Sequence, residues 1–534
     1  MSTTVNNCHI LLFPYPAQGH MLPLLHLAHR LSLHGLTITI VITHKNLPYL
    51  SSLLSSHPSS ITPLILPFPS HPSIPPGVEN VKDLGHSGNL PMLTSLSKLH
   101  DPLLHWFNSH PDPPVAIISD FFLGWTLHLA HQLNIPRLVF FPSGAFLAAI
   151  DDYVWNNVEQ LKTLDQVELS ALPGSHVFKS HHLPSLFRLY KKSDPDWEFV
   201  KDLKLANTKS WGCVFNSFEA FEGEYMDYLK KKLSHDRIFG VGPLNLPGPG
   251  NLGSGSDLNE GLLTWLDGCP KASVVYVCFG SQKLLKREQM EALALGLEKS
   301  GTRFVWVVKT GSTQEREDGF GNVPDGFEER VAGRGLVIRE WAPQVSILSH
   351  EAAGVFLSHC GWNSVLEGIV GGVVILAWPM EADQFVNARL LDKAKELKEK
   401  ALEAVSKEGS SVQDMGRLVG ELRKLKPFKS RIQHTSQWSV GPGSGRWCAR
   451  LWWVVVGQFA GGVSGGLAQG SPTEALASAF SFSGVYFLIS WSGADGGVLA
   501  VRFTFTLAPT DWCWELLFSF AYPVLGAHQR RLGV

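Results

Sequence analysis

Residues 341–384 read WAPQVSILSHEAAGVFLSHCGWNSVLEGIVGGVVILAWPMEADQ, and they carry the clearest structural signal in the chain. An apolar run with β-branched residues at 354–358 is followed by a short turn and then by helical spacing over 363–369. Glu367 lies near the first turn of that helix, where a carboxylate is favourable. The pattern predicts a strand that leads directly into the N-terminus of a helix.

The turn between this strand and this helix is a candidate anion site. The first amides of a helix have no partner within the helix, and His359, Asn363 and Ser364 add side-chain donors around them. No P-loop lysine is present, so the pattern does not indicate hydrolysis of a nucleoside triphosphate. The alternative is an ordinary strand-to-helix turn in a core, with Trp341 and Trp362 as packing residues.

The same alternation of strands and helices occurs twice along the chain. Short apolar runs, separated by stretches with helical spacing, lie at 10–13, 36–43, 115–119, 137–141, 274–279 and 303–308. Strands that alternate with helices predict parallel sheets, so the fold class is α/β with two domains.

A segment without apolar periodicity separates the two predicted domains. Residues 246–257 read LPGPGNLGSGSD and have the composition of a linker. They contain a G-x-G-x-x-G pattern, but no strand leads into it and no helix opens on it, so a dinucleotide site is not favoured. We therefore predict an N-terminal domain at 1–245, a C-terminal domain at 258–426 and a separate tail at 427–534.

The composition argues against several classes of protein. Among 534 residues, 45 Lys plus Arg stand against 47 Asp plus Glu, and a net charge of -2 favours neither a nucleic acid nor an anionic membrane as partner. Residues 451–468 lack charge but are too rich in glycine for a membrane span. Seven cysteines are thinly spread without a C-x-x-C pair or a zinc-finger histidine cluster. We expect no metal site and a reduced, cytoplasmic compartment.

The stretch 341–384 resembles the signature box of plant family-1 UDP-sugar-dependent glycosyltransferases in nearly every position. The shared motifs are W-A-P-Q at 341–344, H-C-G-W-N-S at 359–364, Leu366-Glu367, Trp378-Pro379 and Asp383-Gln384. Further matches are PAQGH at 16–20, Ser119-Asp120, FPSGA at 141–145 and VYVCFGS ending at Ser281. The resemblance covers about residues 8–391 and a detached stretch from 394 to about 425. Within the family, the box is most similar to that of flavonol or hydroxybenzoate glucosyltransferases.

This resemblance implies a fold and a set of roles. The fold would be of the GT-B type, with two Rossmann-like domains facing across a cleft, the acceptor on the N-terminal side and the UDP-sugar on the C-terminal side. Neither a metal nor a separate cofactor is implied, because UDP-glucose is itself the donor substrate. In the family's pattern, Trp341 would stack on the uracil, Gln344 and Glu367 would bind the ribose, Ser281, His359, Asn363 and Ser364 would hold the diphosphate, Asp383 and Gln384 would hold sugar hydroxyls, and Trp362 would lie near the sugar. Ala342 belongs to the same set of implied donor-binding residues.

His20 is the candidate catalytic base. It lies where the turn after the first predicted strand meets the first helix, and a helix N-terminus disfavours the imidazolium form. Asp120 follows the strand at 115–119, so a parallel sheet would place it at the carboxyl edge where ligands bind. A histidine held by a carboxylate is the arrangement of a general base and its orienting partner. The alternative makes the two residues simple caps of a helix and of a strand.

We interpret the chain as an inverting glucosyltransferase of plant secondary metabolism, acting on a hydroxyl of a small phenolic acceptor. The alternative is a non-catalytic relative or a defective gene product with impaired UDP-sugar binding, and three departures from the family favour it. The chain has Gly372-Val373-Val374 where the family has Gly-Val-Pro, lacks what corresponds to a strand and a helix after Leu391, and loses the resemblance after about Lys426. We expect residues 427–534 to be disordered or loosely collapsed, because no helix or strand period persists there.

Overall fold

The structure, a computed structural model, divides the chain into two units, 1–436 and 437–534. The described residues of the first unit are 8–84, 88–244, 259–311, 313–391 and 397–425, and those of the second are 477–482, 485–493, 498–507 and 513–521. The predicted linker at 246–257 and the residues at 392–396 lie outside the described residues.

The N-terminal half of the first unit is built on one parallel sheet. Its strands in chain order are β1 (His9–Phe13), β2 (Thr37–Ile42), β3 (Ile61–Ile65), β4 (Ala116–Asp120), β5 (Arg137–Phe141), β6 (Gln166–Leu169), β7 (His176–Lys179), β8 (Gly212–Phe215) and β9 (Ile238–Gly240). Seven of them form the sheet in the order β3-β2-β1-β4-β5-β8-β9, while β6 and β7 make a separate antiparallel hairpin.

Helices surround this sheet. They are α1 (Gln18–Leu33), α2 (Ser51–Ser56), α3 (Asn89–Ser97), α4 (His100–Ser109), α5 (Thr126–Gln132), α6 (Ala145–Asn156), α7 (Val158–Leu161), α8 (Ser185–Leu189), α9 (Pro195–Asn207) and α10 (Glu219–Leu233). Short 3-10 helices are found at His44–Leu50, Val81–Asp83 and Ser180–His182.

The C-terminal half repeats the plan with five parallel strands. These are β10 (Val274–Cys278), β11 (Arg303–Val308), β12 (Gly335–Arg339), β13 (Ala353–Ser358) and β14 (Val374–Ala377), in the order β12-β11-β10-β13-β14. The helices are α11 (Asn259–Asp267), α12 (Arg287–Ser300), α13 (Thr313–Glu317), α14 (Phe327–Arg330), α15 (Gln344–Ser349), α16 (Trp362–Gly371), α17 (Gln384–Ala388), α18 (Leu397–Ala404) and α19 (Ser410–Arg423).

Both sheets confirm the α/β class with two Rossmann-like domains. All five residues of β1 are buried, as expected where helices cover both faces of a parallel sheet. The predicted strand at 303–308 is observed with the same limits as β11. The preceding helix ends at Gly301, whose φ of +66° is a left-handed conformation that glycine adopts readily.

The strand β14 forms one edge of the C-terminal sheet. Two of its aliphatic side chains are unusually open, since Val374 is 61% exposed and Leu376 is 50% exposed. An edge strand also presents one row of backbone N–H and C=O groups that its own sheet does not pair. The interpretation that a strand and a helix are missing after Leu391 stays a prediction.

The last two helices of the first unit pack on other parts of the same unit. Leu397 and Ala401 of α18 are buried in the core cluster that includes residues of α10 and α16. Leu418 of α19 is buried in the cluster formed by β1 and β2. The guanidinium of Arg423 donates to the carbonyl of His34 at 2.6 Å. The chain therefore crosses back from the C-terminal half onto the N-terminal sheet.

The second unit contains an antiparallel sheet of four strands. They are β15 (Ala477–Phe482), β16 (Val485–Gly493), β17 (Val498–Leu507) and β18 (Cys513–Ala521), each paired with the next. This differs from the expectation of a tail without regular elements. Residues 501–507 read VRFTFTL, and this alternation of apolar and polar residues is a strand signal that the expectation overlooked.

Candidate active site

His20 and Asp120 meet at the carboxyl edge of the N-terminal sheet. His20 lies in the first turn of α1, and Asp120 is the last residue of β4. Nδ1 of His20 lies 2.9 Å from Oδ2 of Asp120, whose side chain is fully buried. An ionised carboxylate only accepts hydrogen bonds, so Nδ1 carries the proton and Nε2 keeps its lone pair. The pair can therefore take up a proton at Nε2 and stabilise the imidazolium that forms.

Aromatic rings surround the imidazole of His20. The ring of Phe121 lies parallel to it with centroids 5.5 Å apart, and Phe122 and Tyr15 lie at 4.8 and 5.2 Å. The second carboxylate oxygen of Asp120 accepts a hydrogen bond from the amide of Phe122 at 2.9 Å. Burial, together with the charge of Asp120, raises the pKa of Tyr15 well above its usual range. The rings hold the imidazole in an apolar setting without adding a competing charge.

Arg137 of β5 lies behind Asp120. Its guanidinium is buried and donates to Oγ of Ser119 at 2.9 Å, to Oδ1 of Asn207 at 3.1 Å and to the carbonyl of Asp120 at 3.3 Å. Burial lowers the pKa of Arg137 to about 9, so the group remains a cation at neutral pH. These bonds anchor the end of β4, and with it the position of the Asp120 carboxylate.

His359 is partly buried in the turn between β13 and α16. Two glycines make room for its ring, because a Cβ on Gly280 or on Gly361 would lie 2.7 or 2.5 Å from its Nε2. Gly280 also has a φ of +78°, which favours glycine over other residues. Burial lowers the pKa of His359 to about 4, so the ring is neutral at physiological pH. It can offer an N–H group to an anion but no charge.

Asn363 and Trp362 join the two halves of the first unit. Nδ2 of Asn363 donates to the carbonyl of Gly19, in the first turn of α1, at 2.9 Å. Trp362 is 5% exposed, donates from Nε1 to the carbonyl of Asn216 at 2.7 Å and stacks on Phe221 with centroids 5.6 Å apart. Trp362 therefore occupies a packing position between the halves, as the alternative interpretation expected, and its place near a sugar stays a prediction.

The residues predicted to bind ribose come together beside α16. Nε2 of Gln344 donates to Oε2 of Glu367 at 2.6 Å and to Oγ of Ser364 at 3.1 Å. Oε1 of Gln344 accepts from the hydroxyl of Tyr276 at 3.2 Å. Trp341, three residues before Gln344, is 38% exposed, which leaves part of its indole open to a ligand. Gln344 thus joins Tyr276, Ser364 and Glu367 in one small network of donors and acceptors.

Two further predicted residues differ in exposure. Ala342 is buried in the core cluster of the C-terminal sheet. Ser281 is exposed in the turn that follows β10. Because β10 and β13 are parallel neighbours, Ser281 lies at the same sheet edge as His359.

Asp383 and Gln384 lie at the start of α17. Oε1 of Gln384 accepts from the amides of Met380 and Glu381 at 2.8 and 3.0 Å, which orients the amide oxygen toward its own loop. Burial raises the pKa of Asp383, and the positive charge of a protonated His20 opposes this shift. The role of Asp383 and Gln384 in holding sugar hydroxyls stays a prediction.

In the part of the chain that the structure describes, no three His, Cys, Asp or Glu side chains are grouped to hold a metal ion. The helices described there also include none with the length and apolarity needed to cross a membrane. The five cysteines described are all free thiols. The cytoplasmic compartment stays a prediction.

Comparison with known proteins identifies the family to which this chain belongs. Residues 255–413 match the family model described as UDP-glucoronosyl and UDP-glucosyl transferase. Over 384 residues the chain is 54% identical to UDP-glycosyltransferase 89A2 of Arabidopsis thaliana, which covers 72% of this chain and 80% of that protein. The chain belongs to the family-1 plant UDP-glycosyltransferases. It is also 50% identical over 391 residues to flavonol 3-O-glucosyltransferase UGT89B1 of the same plant, covering 72% of this chain and 81% of the relative.

Solved structures have the same GT-B architecture as this UDP-glycosyltransferase. The crystal structure of Arabidopsis thaliana UGT89C1 complexed with UDP-L-rhamnose shares 38% sequence identity and a TM-score of 0.63, and the match covers 78% of this chain and 98% of that chain. The same relative has also been solved with UDP and with quercetin. The two Rossmann-like domains and a donor of the UDP-sugar class are thereby confirmed.

Several residues around the site of this glycosyltransferase escaped the sequence analysis. Tyr276 and Asn216 contact predicted residues only through the tertiary fold, and nothing in their local sequence marks them. Phe121 and Phe122 directly follow a carboxylate at the end of a strand. That adjacency to a candidate catalytic residue was an available signal for an aromatic lining.

The partly buried His359 is expected to make the folded glycosyltransferase sensitive to acid. Its pKa falls from 6.5 to about 4, so the unfolded chain takes up a proton before the folded one does. The free energy of unfolding is therefore unaffected by this group above the unfolded pKa of 6.5 and decreases as the pH falls toward the folded pKa of about 4. The total decrease is on the order of 3 kcal/mol. We expect His359→Gln to flatten the drop in melting temperature between about pH 7 and about pH 4.5. Equal drops in the two proteins would contradict this.

Proposed function

We propose that this chain transfers glucose from UDP-glucose to a hydroxyl of a small phenolic acceptor, with inversion at the anomeric carbon. The proposal is carried by the His20–Asp120 pair, which lies at the carboxyl edge of the N-terminal sheet with Nδ1 and Oδ2 2.9 Å apart. A base on one side and sugar-binding candidates on the other suit a reaction between an acceptor and a donor held in the cleft. The printed names of the relatives, a flavonol glucosyltransferase and a complex with quercetin, support the same classes.

The proposed chemical step is a displacement assisted by a general base. The acceptor hydroxyl gives its proton to Nε2 of His20, and its oxygen attacks the anomeric carbon of glucose. The bond from that carbon to the phosphate oxygen of UDP breaks, and its electron pair leaves with UDP. Asp120 stabilises the imidazolium through Nδ1–H. Attack opposite the leaving group inverts the configuration, and the base contributes roughly 10² to 10⁴ in rate.

The signature box is proposed to hold the donor. Trp341 offers an exposed indole face for the uracil, and Gln344 and Glu367 offer paired donor and acceptor groups for the ribose diol. The N-terminus of α16 favours an anion in front of it. The diphosphate oxygens are assigned to Ser281, His359, Asn363 and Ser364, and the sugar hydroxyls to Asp383 and Gln384.

The choice of donor tests this assignment. We expect UDP-glucose to be used in preference to UDP-glucuronate, because the amide of Gln384 suits two adjacent hydroxyls. Lys283, a cation beside the same loop, is paired with Glu381 at 2.9 Å and is therefore not available to a sugar carboxylate. A competition assay with mixed donors and quercetin as the acceptor measures the preference.

Glu381→Gln is the matched variant for that assay, because it frees Lys283 without changing the length of the side chain. It should raise the share of glucuronide in the products. UDP-L-rhamnose belongs in the mixture as a third donor, since a relative was solved with it. The assignment of glucose is wrong if the unmodified chain forms more glucuronide or more rhamnoside than glucoside.

A second candidate is a family member whose donor half is impaired. The observation that favours it is the open edge of the C-terminal sheet, where Val374 and Leu376 are largely exposed. Calorimetry with UDP followed by a turnover assay separates the two functions. An active enzyme binds UDP and turns UDP-glucose over, whereas an impaired relative binds UDP weakly or without turnover.

A further inference from the structure

We propose that Ser185, in the N-terminal half, is a positioning residue for the donor sugar, because it holds residues 380–385 in the conformation that presents Asp383 and Gln384. We call these residues the sugar loop. This inference rests on the proposed function, in which Asp383 and Gln384 bind the sugar hydroxyls. It makes donor recognition partly a property of the acceptor half of the molecule.

Two hydrogen bonds join Ser185 to Ala382 of the sugar loop. The amide of Ser185 donates to the carbonyl of Ala382 at 3.2 Å. The amide of Ala382 donates to Oγ of Ser185 at 2.7 Å, across 197 positions of sequence. Both backbone polar groups of Ala382 are thus bound by one residue of the other half.

The backbone of Ala382 needs such support. Its φ is +53°, a left-handed conformation that residues with a Cβ adopt rarely and at a cost. Conformations of this kind persist where the surroundings hold them in place. The hydrogen bonds to Ser185 are contacts of that kind, and the loop would relax toward a more common conformation without them.

Other contacts hold the sugar loop on both sides. The rings of His182 and Phe385 are stacked with centroids 4.3 Å apart and an angle of 10° between their planes. Lys283 forms an ion pair with Glu381 at 2.9 Å. His182 and Ser185 belong to the N-terminal half, whereas Lys283 belongs to the C-terminal half, so the loop is fixed from both directions.

A movement of the sugar loop would change contacts to the sugar and leave contacts to the nucleotide in place. Asp383 and Gln384 directly follow Ala382, so they move with it. Trp341 and Gln344, assigned to the uracil and ribose, lie on separate elements and make no use of Ser185. A positioning role therefore predicts a selective effect, whereas general damage to the fold would weaken both ligands together.

The test compares UDP with UDP-glucose by calorimetry on the full chain. We expect Ser185→Ala to raise the Kd for UDP-glucose by about three- to tenfold and to leave the Kd for UDP unchanged, since one hydrogen bond to the loop is lost. Ser185→Thr keeps a hydroxyl and should restore the affinity. Ser180→Ala is the matched control, because its hydroxyl bonds to the carbonyl of Leu164 within the N-terminal half.

His182→Ala provides a second variant that removes a different contact of the same half with the loop, and it should show the same selective loss. Parallel weakening of UDP and UDP-glucose, or no change in either ligand, would overturn the inference. Equal affinity of the unmodified chain for the two ligands would overturn it as well, while UDP binding itself would still support the proposed donor site. A full chain that binds no UDP would instead overturn the proposed function, and this inference with it.

Discussion

Replacing His20 with alanine is expected to lower kcat by about two to four orders of magnitude and to leave the affinity for UDP nearly unchanged. The imidazole of His20 forms a 2.9 Å hydrogen bond with the buried Asp120 and is itself partly exposed. Its loss removes the proton acceptor but none of the residues proposed to hold the nucleotide. Steady-state kinetics with UDP-glucose and quercetin, and calorimetry with UDP, measure the two quantities.

His29→Ala is the matched control for that experiment. His29 lies on the same helix, but its ring contacts His57 rather than a carboxylate. Its replacement should leave most of the activity intact. If His20→Ala weakened UDP binding as much as it slowed turnover, or kept most of the activity, His20 would not be the base.

Insertion of a strand and a helix between Leu391 and Asp392 is expected to raise both the melting temperature and the turnover of the chain. The segment would come from the corresponding part of UDP-glycosyltransferase 89A2 and would cover the edge formed by β14. Shielding the exposed parts of Val374 and Leu376 alone contributes on the order of 2 kcal/mol. That is a large share of a typical total stability of about 5–15 kcal/mol.

A chain trimmed after Lys426 is the control for the insertion. Trimming removes the second unit but supplies no strand or helix to cover the edge of β14, so it should not restore activity. Turnover of UDP-glucose and thermal melting are measured on the untouched, trimmed and inserted chains. Full activity and one cooperative melt of the untouched chain would show that the gap is tolerated and that this account of the open edge is wrong.

The elements that the sequence predicts well are those with a strong local pattern. The apolar run at 303–308 is observed as β11 with the same limits, and the turn after β13 leads into α16 as expected. His20 and Asp120 could be paired in advance because the carboxyl ends of parallel strands share one edge of a sheet. The strand and the turn follow from local periodicity, whereas choosing His20 and Asp120 over simple caps also depended on the resemblance to the glycosyltransferase family.

The parts that could not be predicted depend on contacts between distant segments. Ser185 has no local signal, because its role arises from bonds to Ala382 in the other half. The stacking of Trp362 on Phe221 likewise joins residues that are far apart in the sequence. The packing of α19 on the N-terminal sheet could not be predicted either, because the apolar face of an amphipathic helix does not indicate which surface it will cover.

The most direct test of the central claim is the NMR spectrum of the product formed from UDP-α-D-glucose and quercetin by the chain that carries the insertion. Inverting transfer with His20 as the base predicts β-glucosides only, and the same chain with His20→Ala should form them at least about a hundred times more slowly. An α-linked glucoside, or release of free glucose with none attached to quercetin, would contradict the account.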